Sequence, residues 1–372
     1  MTAALSLYLD LVRFVAATVV LLSHFAYTRI SGGEYLIFRR FGADAVIVFF
    51  VLSGYVIAYV SAERERMPGE YAINRCARLY SVVFPALIAT VILDQMGRVL
   101  DPALYAGWWY KDSEALWRFF ANLLFVNELW FTSIRPFSNG PYWSLGYEVW
   151  YYALFGACFY YGGRIRTVLV ILIALVAGPK ILVLLPAWLI GVWTYRFNRS
   201  RQVSIPIGWV LFLLPILIYG FIKASEIDIA ARMATMAVIG PAFVMSKLKH
   251  SDEFLIDNFY AVLVALNFIG MRAISHSLDR IPPWIERAIR YWAGLTFSIY
   301  LLHYPLLHFF AALYGRERSE PLTQILILSS TFAAIVVIGG FTERKKHLLR
   351  RALASIARAL SPRLHRRLDD WP

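Results

Sequence analysis

The sequence predicts an all-α fold: a polytopic transmembrane helix bundle of about ten spans with both termini on the cytoplasmic side. Three observations carry this. Of 372 residues, 59% are hydrophobic and 16% are charged, whereas a soluble domain carries about 25% charged residues. Aromatic residues reach 16%, as expected where Trp and Tyr line two membrane interfaces. Apolar runs near the length needed to cross a hydrocarbon layer, about 20 residues, recur along the whole chain.

The runs fall at 8–28, 42–61, 79–97, 144–161, 167–177, 181–195, 207–222, 229–246, 291–314 and 321–341. The fifth and sixth are short and meet at Gly178-Pro179-Lys180, a tight-turn sequence. Two further patches, 119–131 and 259–271, are too short or interrupted for spans and are expected to be interfacial or re-entrant. With the N-terminus inside, the inner loops (247–290 among them) and the tail hold 24 Lys and Arg against 11 in the outer loops. That bias keeps both termini in the cytoplasm. The N-terminus lacks a basic leader and a small-residue cleavage site, so the first run is expected to remain as a span. Residues 1–343 read as one membrane domain. Residues 344–372 read as a basic cytoplasmic tail, forming an amphipathic helix on the membrane surface.

Several classes fall away. The net charge of +13 sits in membrane-flanking loops and forms no separate basic face, so a nucleic-acid partner has no support. Cys76 and Cys158 lie at different spans, and no CxxC or His/Cys cluster occurs, so neither a disulfide framework nor a metal site is expected.

An ionisable residue inside a span is expensive and marks a candidate site. The first span, YLDLVRFVAATVVLLSH, holds Asp10, Arg13 and His24. At 100° per residue, Arg13 and His24 lie about 20° apart on the helical wheel, and Asp10 about 40° to the other side of His24. All three share a face that must look into protein or a wet cavity, and Asp10 and Arg13 are spaced to pair. His24 fits a general base and equally a buried His donating to a nearby carbonyl. In the second span Asp44 stands at the outer end, as an interfacial charge or the partner of a buried cation. Ser53 and Gly54 stand at mid-membrane, where small residues let helices approach. Arg75 and Arg78 are one turn apart on the inner side, read as a phosphate-binding pair or as positive-inside anchors. After Asn139-Gly140-Pro141 a helix begins near Ser144, with Glu148 and Tyr152 on the same face. Glu148 is expected at the depth of His24, where the two form an acid–base pair, although a Glu near a helix N-terminus is also favoured by the dipole. His303 and His308 are spaced i,i+5, wrong for two metal ligands on one face, and His303 precedes a helix-kinking Pro305.

The segments LDLVRFVAATVVLLSH, GADAVIVFFVLSGYVI, RCARLYSVVFPA, YWSLGYEVWYYALF and SIYLLHYPL resemble, in order, those of the acyltransferase 3 family. These are bacterial integral-membrane acyltransferases that include many O-acetyltransferases of polysaccharides, nodulation factors and antibiotics. The resemblance runs from the first span to the ninth. Its basic-residue-x10-His signature falls on Arg13 and His24, its Arg-x-x-Arg pair on Arg75 and Arg78, and its WSL-x-x-E segment on Trp143, Ser144, Leu145 and Glu148. It implies a ten-helix bundle in the bacterial inner membrane that transfers an acyl group, most commonly acetyl, from acyl-CoA to a carbohydrate or glycolipid hydroxyl. No cofactor is expected to stay bound; acetyl-CoA is the co-substrate and membrane lipid the surroundings. On this view His24 is the catalytic base or a covalent acyl carrier, Glu148 orients it, and Arg13 stabilises developing negative charge. Arg75 and Arg78 hold the CoA phosphates, and Asp10, Asp44, Ser144, Trp143 and His303 support the site. The chain departs from the family where Glu343-Arg344 is followed by Lys345 rather than Pro, and 247–290 is long. The competing class is a transporter or flippase of a lipid-linked sugar, which also buries Arg, His and Glu.

Overall fold

The computed structural model describes residues 1–277, 281–315 and 317–360, and all regular structure among them is helical. Fourteen helices organise the chain: α1 Ala3–Phe25, α2 Gly42–Glu63, α3 Pro68–Leu100, α4 Ala115–Leu123, α5 Trp143–Tyr160, α6 Gly163–Ala177, α7 Leu185–Ser200, α8 Ile205–Ala224, α9 Ile227–Ile239, α10 Phe254–Ile274, α11 Pro283–Ala293, α12 Thr296–Leu313, α13 Pro321–Phe341 and α14 Lys346–Leu360. By length and composition, eight helical stretches can cross a membrane: those containing α1, α2, α3, α7, α8, α10 and α12, and the run through α13 and α14. Large apolar side chains face outward, among them Val168, Leu172 and Leu175 of α6 and Val210, Leu217 and Phe221 of α8. Water would not tolerate so continuous an exposed apolar surface; lipid does.

Local chemistry sets the helix ends. Thr2 caps α1 by accepting from the Leu5 N–H at 3.2 Å. Pro68 opens α3, where the missing N–H has no helical role. The N-terminus of α12 is capped from another element: the Glu343 carboxylate accepts the N–H of Ser298 at 2.9 Å and of Phe297 at 3.3 Å. Helix α12 is the most enclosed of the candidate spans, packed among α1, α3 and α13.

At the α2–α7 crossing the two helix backbones approach closely. A Cβ on Gly54 would stand 2.0 Å from the Trp188 carbonyl oxygen, and a Cβ on Gly191 2.0 Å from that of Val51. Each helix presses its backbone into the other's glycine, as the mid-membrane position of Gly54 led us to expect.

Two sequence expectations are corrected. Residues 229–246 form no continuous span: α9 has 13 residues, Gly240 breaks it at φ +102, and a π-turn follows at Val244–Leu248. The patch at 259–271 is the body of the 21-residue helix α10. Its polar residues lower its apparent hydropathy, yet protein satisfies them. Asn267 accepts from Tyr8 Oη and donates to the Phe212 carbonyl at 2.9 Å, and Asn258 donates to the Val183 carbonyl at 3.1 Å. The stretch 247–290 is therefore not one loop. Ser251 meets the Lys180 carbonyl at the end of the bundle away from the N-terminus, while Ser275 meets Thr2 at the N-terminal end. Lys247 and Lys249 thus move to the far end, which narrows the charge bias without reversing it. The tail helix α14 lies along α3, with Arg350 Nε 2.7 Å from Asn74 Oδ1; the tail expectation for 361–372 lies outside the described residues.

Since the atoms nearest Gly54, from Trp188 and Val192, are all backbone, Gly54→Leu forces α2 and α7 apart. Overpacking of this kind costs about 1–3 kcal/mol or more. We expect a lower Tm in detergent by fluorescence-detected unfolding, and Ser53→Ala, at the neighbouring position, to lower it less.

Candidate functional site

A cavity of about 120 Å³ opens between α1, α2, α3, α5 and α12 and the turn after α13. Its polar wall is Arg13, Ser53, Arg78, Ser144, Glu148, Tyr300, Glu343 and Lys346; Phe49, Phe50 and Phe297 supply apolar wall. Two carboxylates face three cations, and both carboxylates already accept hydrogen bonds from the protein. Glu148 accepts from Ser53 Oγ and from Tyr152 Oη. Glu343 caps α12 and also accepts from Ser298 Oγ at 2.9 Å. Arg13 pairs with Asp10 at 2.7 Å, as its spacing predicts, and Asp10 is shared with Arg290 at 3.2 Å. Arg78 has no ion pair within 4 Å among the described residues; it senses Tyr152, Glu148 and Glu343 at longer range. It also lies close enough to repel both Arg13 and Lys346. Arg78, left without a close counter-ion in an enclosed site, suits an anionic group.

A histidine pair lies further along α1 and α12. His303 Nδ1 is 2.9 Å from the Ile299 carbonyl oxygen, and an oxygen of that kind only accepts, so Nδ1 carries the proton and Nε2 the lone pair. His24 Nδ1 is 2.8 Å from the Val20 carbonyl and 3.3 Å from His303 Nε2. Both neighbours are acceptors, so His24 also holds its proton on Nδ1, leaving Nε2 free to take a proton or attack carbon. The Val20 carbonyl and His303 Nε2 thus fix the tautomer of His24, the orienting part that a catalytic base needs. The edge of Tyr304 closes one side, with ring centroids 4.7 Å apart.

Tyr300 stands between the cavity and the pair. Its hydroxyl donates to the Pro141 carbonyl at 3.0 Å and lies 2.7 Å from Ser144 Oγ, while its ring is 6.2 Å from that of His303.

Several expected placements change. Glu148 does not meet His24. It sits with Ser53, halfway down α2, and the imidazole is oriented by His303 and Val20 instead. Arg13 is eleven residues before His24, roughly 16 Å along the helix axis, too far to act on the same atoms. The Arg75–Arg78 pair is split. Arg75 binds Glu65 at 2.7 Å, with Glu65 2% exposed, so only Arg78 faces the cavity. Burial pushes the Glu65 carboxyl up while Arg75 pulls it down. Asp44 is the partner of a buried cation, Lys223, at 2.8 Å and also accepts from Tyr219 at 2.7 Å. Trp143 stacks on His250 at 4.6 Å, away from the cavity.

The sequence reading missed Lys346, counted as tail, and Tyr300. It also missed Arg29, whose Nε donates to His308 Nε2 at 3.1 Å and whose terminal nitrogen donates to Tyr304 Oη. The segment SIYLLHYPLLH carried a signal that went unused: Tyr300, His303 and Tyr304 are spaced to share one helical face.

A family model described as an acyltransferase domain matches residues 6–340, nearly the whole chain. No curated protein and no solved structure matches it.

Arg75 and Arg78 differ in a measurable way. Arg75→Ala strands the buried Glu65, a loss of about 3–5 kcal/mol for a broken buried pair, and is expected to lower the Tm clearly. Arg78→Ala breaks no close ion pair and is expected to leave the Tm nearly unchanged. Equal Tm losses in the two variants would refute the division.

Proposed function

The chain belongs to this acyltransferase family, and we propose that it transfers an acyl group, acetyl first among them, from acyl-CoA to a hydroxyl of a carbohydrate or glycolipid. We place it in the bacterial cytoplasmic membrane with its N-terminal end inside. One observation carries the reading: a basic cavity at the N-terminal side ends at Tyr300, and a tautomer-fixed histidine pair begins just beyond. Family membership favours this over sugar transport.

In the proposed reaction the CoA phosphates rest against Arg78, Lys346 and Arg13. The roughly 16 Å from Arg13 to His24 along α1 is spanned by the thin, flexible pantetheine arm. The acceptor oxygen attacks the thioester carbonyl carbon as its proton passes to His24 Nε2; the carbon–sulfur bond then breaks, and the departing thiolate takes that proton. The Val20 carbonyl and His303 Nε2 hold the Nδ1 proton and stabilise the imidazolium that forms. In the covalent version the same free Nε2 attacks the thioester carbonyl carbon and the carbon–sulfur bond breaks to release the thiolate; the acceptor oxygen then takes the acyl group from Nε2, and its proton passes to the thiolate. His303 acts as a positioning residue in either version.

The test is transfer from radiolabelled acetyl-CoA in membranes with matched amounts of protein. His24→Ala should abolish label in the glycan fraction. Loss of a base or its orienting partner typically costs 10²–10⁴-fold, so His303→Ala should lower kcat strongly and shift the pH profile of kcat with little change in KM for acetyl-CoA. Arg78→Ala should instead raise that KM. Undiminished transfer by His24→Ala would overturn the proposal.

A further inference from the structure

Beyond the histidine pair, at the end of the bundle away from the N-terminus, lies a second and wider basin of about 430 Å³, within the range of small-molecule sites. Its wall carries Lys111, Arg118, Arg135 and Lys249. Glu128 is its one carboxylate among the described lining residues, and it is already neutralised: it accepts from the fully buried Lys180 and from Ser133 Oγ at 2.9 Å. The basin is therefore a net cationic bowl. Trp108, 79% exposed, and Trp143 give it flat apolar walls.

The basin touches the chemistry. Gly140 separates Arg135 from Tyr304: a Cβ there would lie 3.5 Å from the Arg135 guanidinium carbon and 3.6 Å from the Tyr304 ring. Tyr304 in turn lies edge-on to His24. Arg29 joins from the other side, its guanidinium 4.7 Å from the Trp109 ring and bonded to Tyr304 and His308. Arg135 donates to the Trp109 carbonyl and lies 5.6 Å from the Trp108 ring. No carboxylate lies within 4 Å of Arg29 or Arg135 among the described residues. Two half-buried guanidinium groups beside a reactive histidine, without counter-charge from the protein, leave the counter-charge to a ligand.

We propose that the basin is the acceptor site and that the acceptor is an anionic glycan, whose carboxylate or phosphate sits against Arg135 and Lys249 while a nearby hydroxyl reaches His24. Trp108 takes the apolar face of a sugar ring. This rests on the acyl-transfer reading for its chemistry, but the binding it asserts does not.

The protein in lipid nanodiscs would be titrated with three probes: a neutral disaccharide, its glucuronate-containing counterpart and a sugar 1-phosphate. Acetyl transfer to each would be followed in parallel. At least a tenfold preference for a charged probe over the neutral one is expected, weakening as salt is raised. Arg135→Gln combined with Lys249→Gln, checked for folding by gel filtration and Tm, should erase the preference. A stronger response to glucuronate identifies an acidic sugar, and to the phosphate a phosphate-linked acceptor; both support the site. Equal binding and use of charged and neutral probes, with acetyl-CoA still consumed, would overturn the anionic acceptor and leave acyl transfer standing. Charge-selective binding with no consumption of acetyl-CoA would do the reverse.

Discussion

A charge inside a membrane protein must be paired, hydrogen-bonded or wet, and this constraint fixes more of the structure than hydrophobic packing does. Lipid tails are as apolar as leucine, so burial alone does not choose which helices meet. The charged groups do. Glu343, at the end of α13, satisfies the first N–H groups of α12 and so locks the most enclosed helix to its neighbour. Lys223 near the end of α8 binds Asp44 near the start of α2 and Asp228 of α9. Lys180, fully buried, ties the turn before α7 to Glu128 in the loop before α5. Each bond is also a statement of register, because a slip of one turn would leave a charge alone in a low dielectric.

Against that background, the groups left without a close partner become informative. Arg78 faces the inner cavity with both nearby carboxylates held by Ser53, Tyr152 and the end of α12. Arg135 lines the far basin and Arg29 is bonded to Tyr304 and His308, and neither has a carboxylate within 4 Å among the described residues. Buried Asp94 and Asp257 also lack a cation within 4 Å among the described residues, but a carboxyl can be neutralised by a proton and a guanidinium cannot, so on the proposed reading the arginines mark the places for an anion.

Much of this was legible in the sequence, and the limits are physical. Periodicity put Asp10, Arg13 and His24 on one face because they share a helix, and their relations depend on 100° and 1.5 Å per residue alone. The same arithmetic holds the roughly 16 Å between Arg13 and His24, a distance that angular position conceals and rise per residue reveals. Relations between helices were not legible. Glu148 and His24 seemed matched in depth because both stand near helix ends thought to be outer, yet Glu148 lies more than a turn into α5, and Ser53 fixes where that falls. Hydropathy failed at α10 for a related reason: Asn258 and Asn267 look costly in isolation, and only the carbonyls of Val183 and Phe212 show they are satisfied. Arg75 and Arg78, three residues apart, looked like one device until Glu65 claimed the first.

The separation of the two sites by Tyr300 has a chemical consequence on the proposed reading. A thioester reaching His24 must pass a hydroxyl already bonded to Ser144 and to the Pro141 carbonyl. Pro141 follows Gly140, the residue wedged between Arg135 and Tyr304. The short segment Asn139–Pro141 therefore contacts the end of the donor cavity through Tyr300 and the acceptor basin through Arg135, and it is pinned at its start, where Asn139 donates to the Leu301 carbonyl of α12 at 2.8 Å. On the proposed reading, an acceptor charge at Arg135 lies against Gly140, next to the Pro141 carbonyl that accepts from the Tyr300 hydroxyl. The donor passage and the acceptor seat of the proposed reading therefore share one backbone turn.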